Sequence, residues 1–319
     1  MLSIKNYWRT FQCPEIDYKL SNKLRFYHRY RAAFAITQIT VVTIMNIIPI
    51  ATGNVSKRIL PFFGWFPFDA TSSPYFEIIY IIFLLEQLLL ILILIACDYC
   101  VFYILGTSIY QLDILHYDYE NVIQKTLKQF DFFWTNNQND NLSNRIYNKA
   151  SEEELLSSKV FHTALSNNLN GLIARHQKLL EFYRRLDKFL MPTITVRLAI
   201  TSAAFILETV TGLVVRDMNI SLPFLQYATT CLIQLLLYGG SGHLLIYKSQ
   251  NLSEALYDSR WISCKRDIKR SVLLIQQRCS VSSKITIASW MDLTLQTMSS
   301  VVRFSFSIAT VLRQVLDKK

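Results

Sequence analysis

The stretch "IIYIIFLLEQLLLILILIA", residues 78–96, has only Glu86 and Gln87 as polar interruptions. A run of about 20 predominantly apolar residues is what a helix needs to cross the hydrocarbon of a bilayer. Directly before it stands "ILPFFGWFPFDATSSPYF" (59–76), with three prolines and seven aromatics. Such rings suit the water–lipid interface, where Trp and Tyr are enriched. Pro61, Pro67 and Pro74 restrict the loop's conformations. The pairing reads as a membrane span entered from a stiff, aromatic loop.

Working outward, the 319 residues are 51% hydrophobic and 18% charged, with mean hydropathy +0.24. An average globular chain carries about 25% charge. The apolar residues are clustered, which favours spans over one large soluble core. Four further runs, 32–52, 192–215, 223–247 and 285–312, bring the expected number of spans to five, with Asp292 and Arg303 interrupting the last. The opening "MLSIKNYWRTFQ" is charged and aromatic and has no apolar h-region, so no signal peptide is expected. The expected fold is all-α, a polytopic helical membrane protein.

Orientation follows from the Lys/Arg bias of the connecting segments. Residues 1–31 carry seven, the segment 113–190 ten and 248–284 eight, whereas 52–75 and 216–222 carry only Lys57, Arg58 and Arg216. Alternate segments therefore hold 25 against three. The N-terminus is expected in the cytosol and the C-terminus outside, although Lys318 and Lys319 oppose this weakly. Glycosylation sequons do not decide: those at Asn54 and Asn219 fall outside on this reading, those at Asn141 and Asn251 inside. The net charge of +10 is then a property of the cytosolic face, and no nucleic-acid partner is implied.

The chain divides into a cytosolic segment 1–31, a span 32–52, an extracellular loop 53–75, and a span with cytosolic extension 76–112. A cytosolic helical region 113–190, spans 192–215 and 223–247, a cytosolic helix region 248–284 and a last span 285–316 follow. After an Asn-rich stretch (134–159), Leu165, Leu169, Leu172, His176, Leu179, Tyr183, Leu186 and Leu190 recur every three or four residues. That spacing marks one helical face, which must be buried. Residues 253–279 have a similar mixture. Two cytosolic helical extensions that pack together are expected.

The chemistry-bearing motifs are sparse. Cys97-Asp-Tyr-Cys100 has CxxC spacing but occurs once, which argues against a redox or zinc site. "GGSGH" (239–243) lacks phosphate-loop spacing and sits inside a span, where small residues permit close helix packing. No catalytic constellation, metal cluster or cofactor motif is found, so neither enzymatic activity nor a cofactor is expected. Glu86, Glu208 and Arg303 lie deep in spans, where ionisable side chains are functional suspects that otherwise pair or face a wet cavity. On the last span, Ser300, Phe304, Ser307, Val311, Gln314 and Val315 share one stripe. Such a face can line a wet path closed by valines; equally, it can serve an ordinary helix–helix contact.

Three segments carry a resemblance. "LPFFGWFPFDATSSPYFEIIYII" with "YQLDILHYDYENV" resembles the outer loop and fourth span of the insect odorant receptor family. "LIARHQKLLEFYRRLDKFL" (172–190) is similar to that family's cytosolic helix before the fifth span. "KRSVLLIQQRCSVSSKITIASWMDLTLQTMSSVVRFSFSIATVLRQVL" (269–316) resembles its C-terminal signature. The resemblance implies spans three to seven of a seven-span receptor, with the first two absent. It implies a subunit of an odorant-gated, non-selective cation channel in the plasma membrane of olfactory neuron dendrites. Its partners would be a shared co-receptor in a hetero-tetramer, a small volatile ligand and membrane lipid, with cytosolic helices interlocking as an anchor. By position the pore residues would be Val311, Gln314 and Val315. The odorant pocket would keep Met45, Tyr80, Phe83, Tyr227 and Cys231. Other expectations to weigh are a non-conducting scaffold subunit or inactive short receptor, and a solute carrier, which the lack of a visible span repeat disfavours.

Overall fold

The apolar run at 78–96 lies in a helix, α1 (Tyr75–Glu120), of 46 residues. The computed structural model describes residues 66–137, 158–214 and 218–316, with scattered helical positions between 29 and 40. Met45, most of the span expected at 32–52, the loop up to residue 65 and the Asn-rich stretch from 138 lie outside the described residues. At about 1.5 Å per residue, α1 is roughly 69 Å long, more than twice the hydrocarbon thickness of about 30 Å. Its two halves differ accordingly. Ile81, Ile82, Leu85, Leu88, Leu89 and Ile93 are exposed, whereas Leu105, Ile109, Leu112, Leu115 and Tyr119 are fully buried. A face that is apolar and exposed suits lipid; a buried stripe suits a protein core.

The other helices are α2 (Val122–Asn137), α3 (Lys159–Val214), α4 (Met218–Gln250), α5 (Leu252–Asp258), α6 (Arg266–Cys279) and α7 (Leu295–Leu316). A single 3₁₀ turn (Trp261–Ser263) precedes α6, and two-residue strands β1 (Thr286–Ile287) and β2 (Met291–Asp292) precede α7. The described chain is thus helical but for this hairpin. Three of its helices, α1, α3 and α4, include stretches long and apolar enough to cross a membrane. α7 falls short in composition, since its 22 residues include Gln296, Arg303, Arg313, Gln314 and six Ser or Thr.

Two helices end or begin away from the expected segment limits. The helix assigned to 76–112 continues to Glu120, because its acids are neutralised: Asp113 meets Lys248 at 2.8 Å, and Asp118 meets Lys125 at 2.6 Å and Arg175 at 2.7 Å. The last span does not begin at 285. Residues 286 and 292, and 287 and 291, pair as antiparallel strands. The turn between them is closed by Trp290 N–H donating to the Ile287 carbonyl, with Ala288 and Ser289 at φ 51° and 69°.

Two compact units are distinguished. The first comprises residues 1–106, 200–234 and 301–319, the second 107–199 and 235–300. In the second, the expected stripe is the core: Leu165, Leu169, His176, Leu179, Tyr183 and Leu190 are buried, as is Phe161. The Tyr183 hydroxyl donates to the Ser108 carbonyl at 2.7 Å, and Asn168 donates to Thr126 and Gln129. Asp187 accepts from the Thr286 N–H at 2.6 Å and from its hydroxyl, which ties the hairpin to α3. Ala288 N–H donates to the Thr195 hydroxyl at 2.9 Å. Arg278 and Cys279, at the end of α6, act electrostatically on His176 and Tyr119. The end of α6 therefore lies near Tyr119 of α1 and His176 of α3.

His176 is buried and its Nδ1 lies 3.2 Å from the Tyr119 hydroxyl. Burial first, and the Arg278 charge second, pull its pKa down to about 4. Burial likewise raises that of Tyr119, so the phenol donates and the neutral imidazole accepts. An unfolded His binds its proton near pH 6.5. The contribution to stability is therefore fully present above that pH and is lost as pH falls towards 4. Its upper size is about 3 kcal/mol. Thermal melts in detergent at neutral and mildly acidic pH are expected to show acid destabilisation of the wild type and a flatter profile for His176→Asn.

Candidate functional site

Four of the five residues expected to line a pocket are among the described residues of the first unit, and they form two groups. Tyr80 and Phe83 lie on α1, in an aromatic cluster built by the loop before it. Phe66 approaches Phe83 edge-on with ring centroids 6.5 Å apart, Phe68 lies 5.1 Å from Tyr75, and Phe76 lies 5.9 Å from Tyr80. Tyr80 is only 8% exposed, and its hydroxyl is buried with no hydrogen-bond partner among the described residues. A buried hydroxyl left unpaired costs about 1–3 kcal/mol.

Tyr227 and Cys231 form the second group on α4. They are one helical turn apart, hence on one face. Both are half-buried, as is Glu208 on α3. The Cys231 thiol donates to Glu208 Oε2 at 3.5 Å, and the phenol of Tyr227 is close enough to feel the Glu208 charge. Gly212, one turn on from Glu208, faces Leu225, whose side chain would lie 3.0 Å from an added Cβ. α3 and α4 are therefore in close contact at this level. The sequence marked Glu208 only as an ionisable residue in a span, and its neighbours on α4 supply the context.

One pair was missed. Asp98 and Gln234 are both buried, and the Gln234 amide donates to the Asp98 carboxylate at 2.8 Å. The signal was the acid inside the Cys97–Cys100 spacing; both thiols are free and exposed, so the aspartate is what the structure buries there. Glu86 is exposed on α1.

On α7 the buried face consists of Met298, Ser305 and Ala309. Ser305 bonds back to the Val301 carbonyl and so hides its hydroxyl. Phe306 meets Phe205 edge-on at 5.4 Å. Ser300, Phe304, Ser307, Val311, Gln314 and Val315 are all exposed. Val311 and Val315 are 56% and 55% exposed, against 40% for Leu312. Arg313, expected to turn away from the stripe, is exposed too. In this single chain, the whole predicted stripe lies on an uncovered helix face.

The family model described as 7tm Odorant receptor matches residues 8–306. No curated protein matches the chain. Among solved structures, that of the insect olfactory receptor OR5 from Machilis hrabei matches with a TM-score of 0.71. The same receptor in complex with eugenol matches with a TM-score of 0.68. In both, 16% of residues are identical, and the match covers 95% of this chain and 70% of that one. Identity at that level speaks for a shared fold.

Proposed function

The chain belongs to the 7tm odorant receptor family, and we propose that it is a subunit of a heteromeric, odorant-gated, non-selective cation channel, made with a shared co-receptor. The observation that carries this reading is the family match over residues 8–306. The likeness in fold to an insect olfactory receptor supports the helical architecture this reading requires. The proposed pocket uses Met45, Tyr80, Phe83, Tyr227 and Cys231. The proposed pore face uses Val311, Gln314 and Val315, whose exposure in the single chain leaves them available to partner subunits or a central path. The N-terminus is proposed to lie in the cytosol and the C-terminus outside, in the plasma membrane of olfactory neuron dendrites. A tag before Met1 should then be protected from antibody in intact cells, and one after Lys319 accessible.

The gate is testable by substitution. Two valines one turn apart can form a dry constriction that opens by wetting. With the co-receptor co-expressed, Val311→Ser or Val315→Ser is expected to raise resting current severalfold, whereas Leu312→Ser chiefly lowers surface expression. Whole-cell recording with an odorant panel, at matched surface expression, gives the comparison. Equal sensitivity at Leu312 removes the stripe from the pore. Normal assembly at the surface with no evoked current from any odorant makes the chain a non-conducting scaffold.

A further inference from the structure

Among the described residues, no basic side chain is seen to balance the charge of Glu208. It is half-buried in the apolar run of α3, where an isolated carboxylate is costly and usually pairs. Its one hydrogen-bond partner among the described residues is the Cys231 thiol, at 3.5 Å. A thiol is a weak donor. Hydroxyls on the adjoining turns are already committed: Thr209 and Thr211 bond back to the carbonyls of Phe205 and Leu207. Thr229 and Thr230 bond back to those of Leu225 and Gln226. Among the described residues, no Lys or Arg acts on Glu208. Tyr227 is close enough to feel the carboxylate's charge.

A carboxylate beside an aromatic ring, in an apolar setting, has the chemistry of an ammonium site. The acid supplies the counter-charge and the ring face adds cation–π attraction. We propose that Glu208 sets the ligand class of the pocket, favouring small alkylamines that are cationic at neutral pH. The ammonium sits between Glu208 and Tyr227, and the alkyl chain lies along the apolar wall. Cys231 holds the carboxylate in place when no ligand is bound. This inference rests on the reading that Tyr227 and Cys231 belong to the pocket.

The test compares n-hexylamine with 1-hexanol, which has the same carbon chain. Currents are recorded from cells expressing the chain with the co-receptor, and thermal stabilisation is measured on the purified chain in detergent. The amine is expected to act at about tenfold lower concentration than the alcohol, the worth of one charge-assisted contact. Glu208→Gln should raise the amine's effective concentration about tenfold, leaving the alcohol's within about twofold, while Glu208→Asp keeps the preference. Cys231→Ser should keep it as well. Evoked currents without an amine preference, or a preference that survives Glu208→Gln, overturn the inference and leave the channel reading intact. Amine stabilisation that depends on Glu208, without any current, leaves the inference intact and overturns the channel reading. Neither stabilisation nor current overturns both.

Discussion

Gly242→Ala is expected to abolish surface expression. A Cβ at that position would lie 2.1 Å from the Leu293 carbonyl oxygen and 3.0 Å from its carbonyl carbon. Those are backbone atoms, and they are held: Leu293 is fully buried and its N–H bonds to the Ile285 carbonyl at 2.9 Å. Neither α4 nor the segment leading into α7 can yield without moving the hairpin. Overpacking a core costs about 1–3 kcal/mol even where side chains relax, and a clash with backbone belongs at or above the top of that range. Gly239 differs in degree. Its added Cβ would meet Met298 Cγ at 2.5 Å, a flexible side chain, and the Thr294 carbonyl oxygen at 3.0 Å, so Gly239→Ala should give partial expression. Gly240 is the control. Only Leu295 Cδ2, at 3.9 Å, comes near its Cβ, and Ala is favoured over Gly within a helix by about 1 kcal/mol. Gly240→Ala should therefore be neutral or stabilising by detergent melt and by surface labelling. Loss of expression in all three variants alike would detach the effect from this contact.

Asp118→Asn is expected to be as damaging. The Asp118 side chain is 7% exposed and takes Lys125 at 2.6 Å and Arg175 at 2.7 Å. Lys125 is also held over the Tyr117 ring, 4.7 Å from its centroid, so it cannot turn freely to water. Removing the carboxylate charge takes the counter-ion from Arg175, whose side chain is only 14% exposed. Breaking a buried pair on one side costs about 3–5 kcal/mol. The companion variant, Asp118→Leu with Arg175→Met, removes both charges and should melt closer to wild type than either single change. A double variant no better than Asp118→Asn would show that the pair does not carry the stability of this cluster.

The sequence disclosed most where one physical rule governs a whole segment. The three- and four-residue spacing from Leu165 to Leu190 forces one helical face, and that face is the core of the second unit. The "GGSGH" segment was legible as a place of close helix packing, and Gly239 of α4 against Met298 of α7 is such a contact. Boundaries were less legible. Asp113 and Asp118 look like the end of a helix until Lys248, Lys125 and Arg175 are seen beside them. Those partners lie far along the chain. The hairpin at 286–292 was hidden because its turn uses Ala288 and Ser289 at positive φ. Turns of that kind are signalled by Gly, Asn or Asp, and "ITIASWMDL" otherwise reads as an apolar run. At the candidate site, Glu208 was visible as a misplaced charge. Its pairing with Cys231 depends on how α3 and α4 pack, which no local pattern encodes.

The central claim, that this chain contributes its own last helix to an odorant-gated pore, is tested most directly at Gln314. The chain with Gln314→Cys is co-expressed with the co-receptor, an odorant-evoked current is established, and a membrane-impermeant thiol reagent is applied from outside. The wild-type chain, whose Cys97 and Cys100 are exposed thiols, sets the background. A lasting change in evoked current is expected for Gln314→Cys, with none for wild type or Leu312→Cys. An unchanged current in Gln314→Cys despite surface expression, or an equal change in Leu312→Cys, would contradict it.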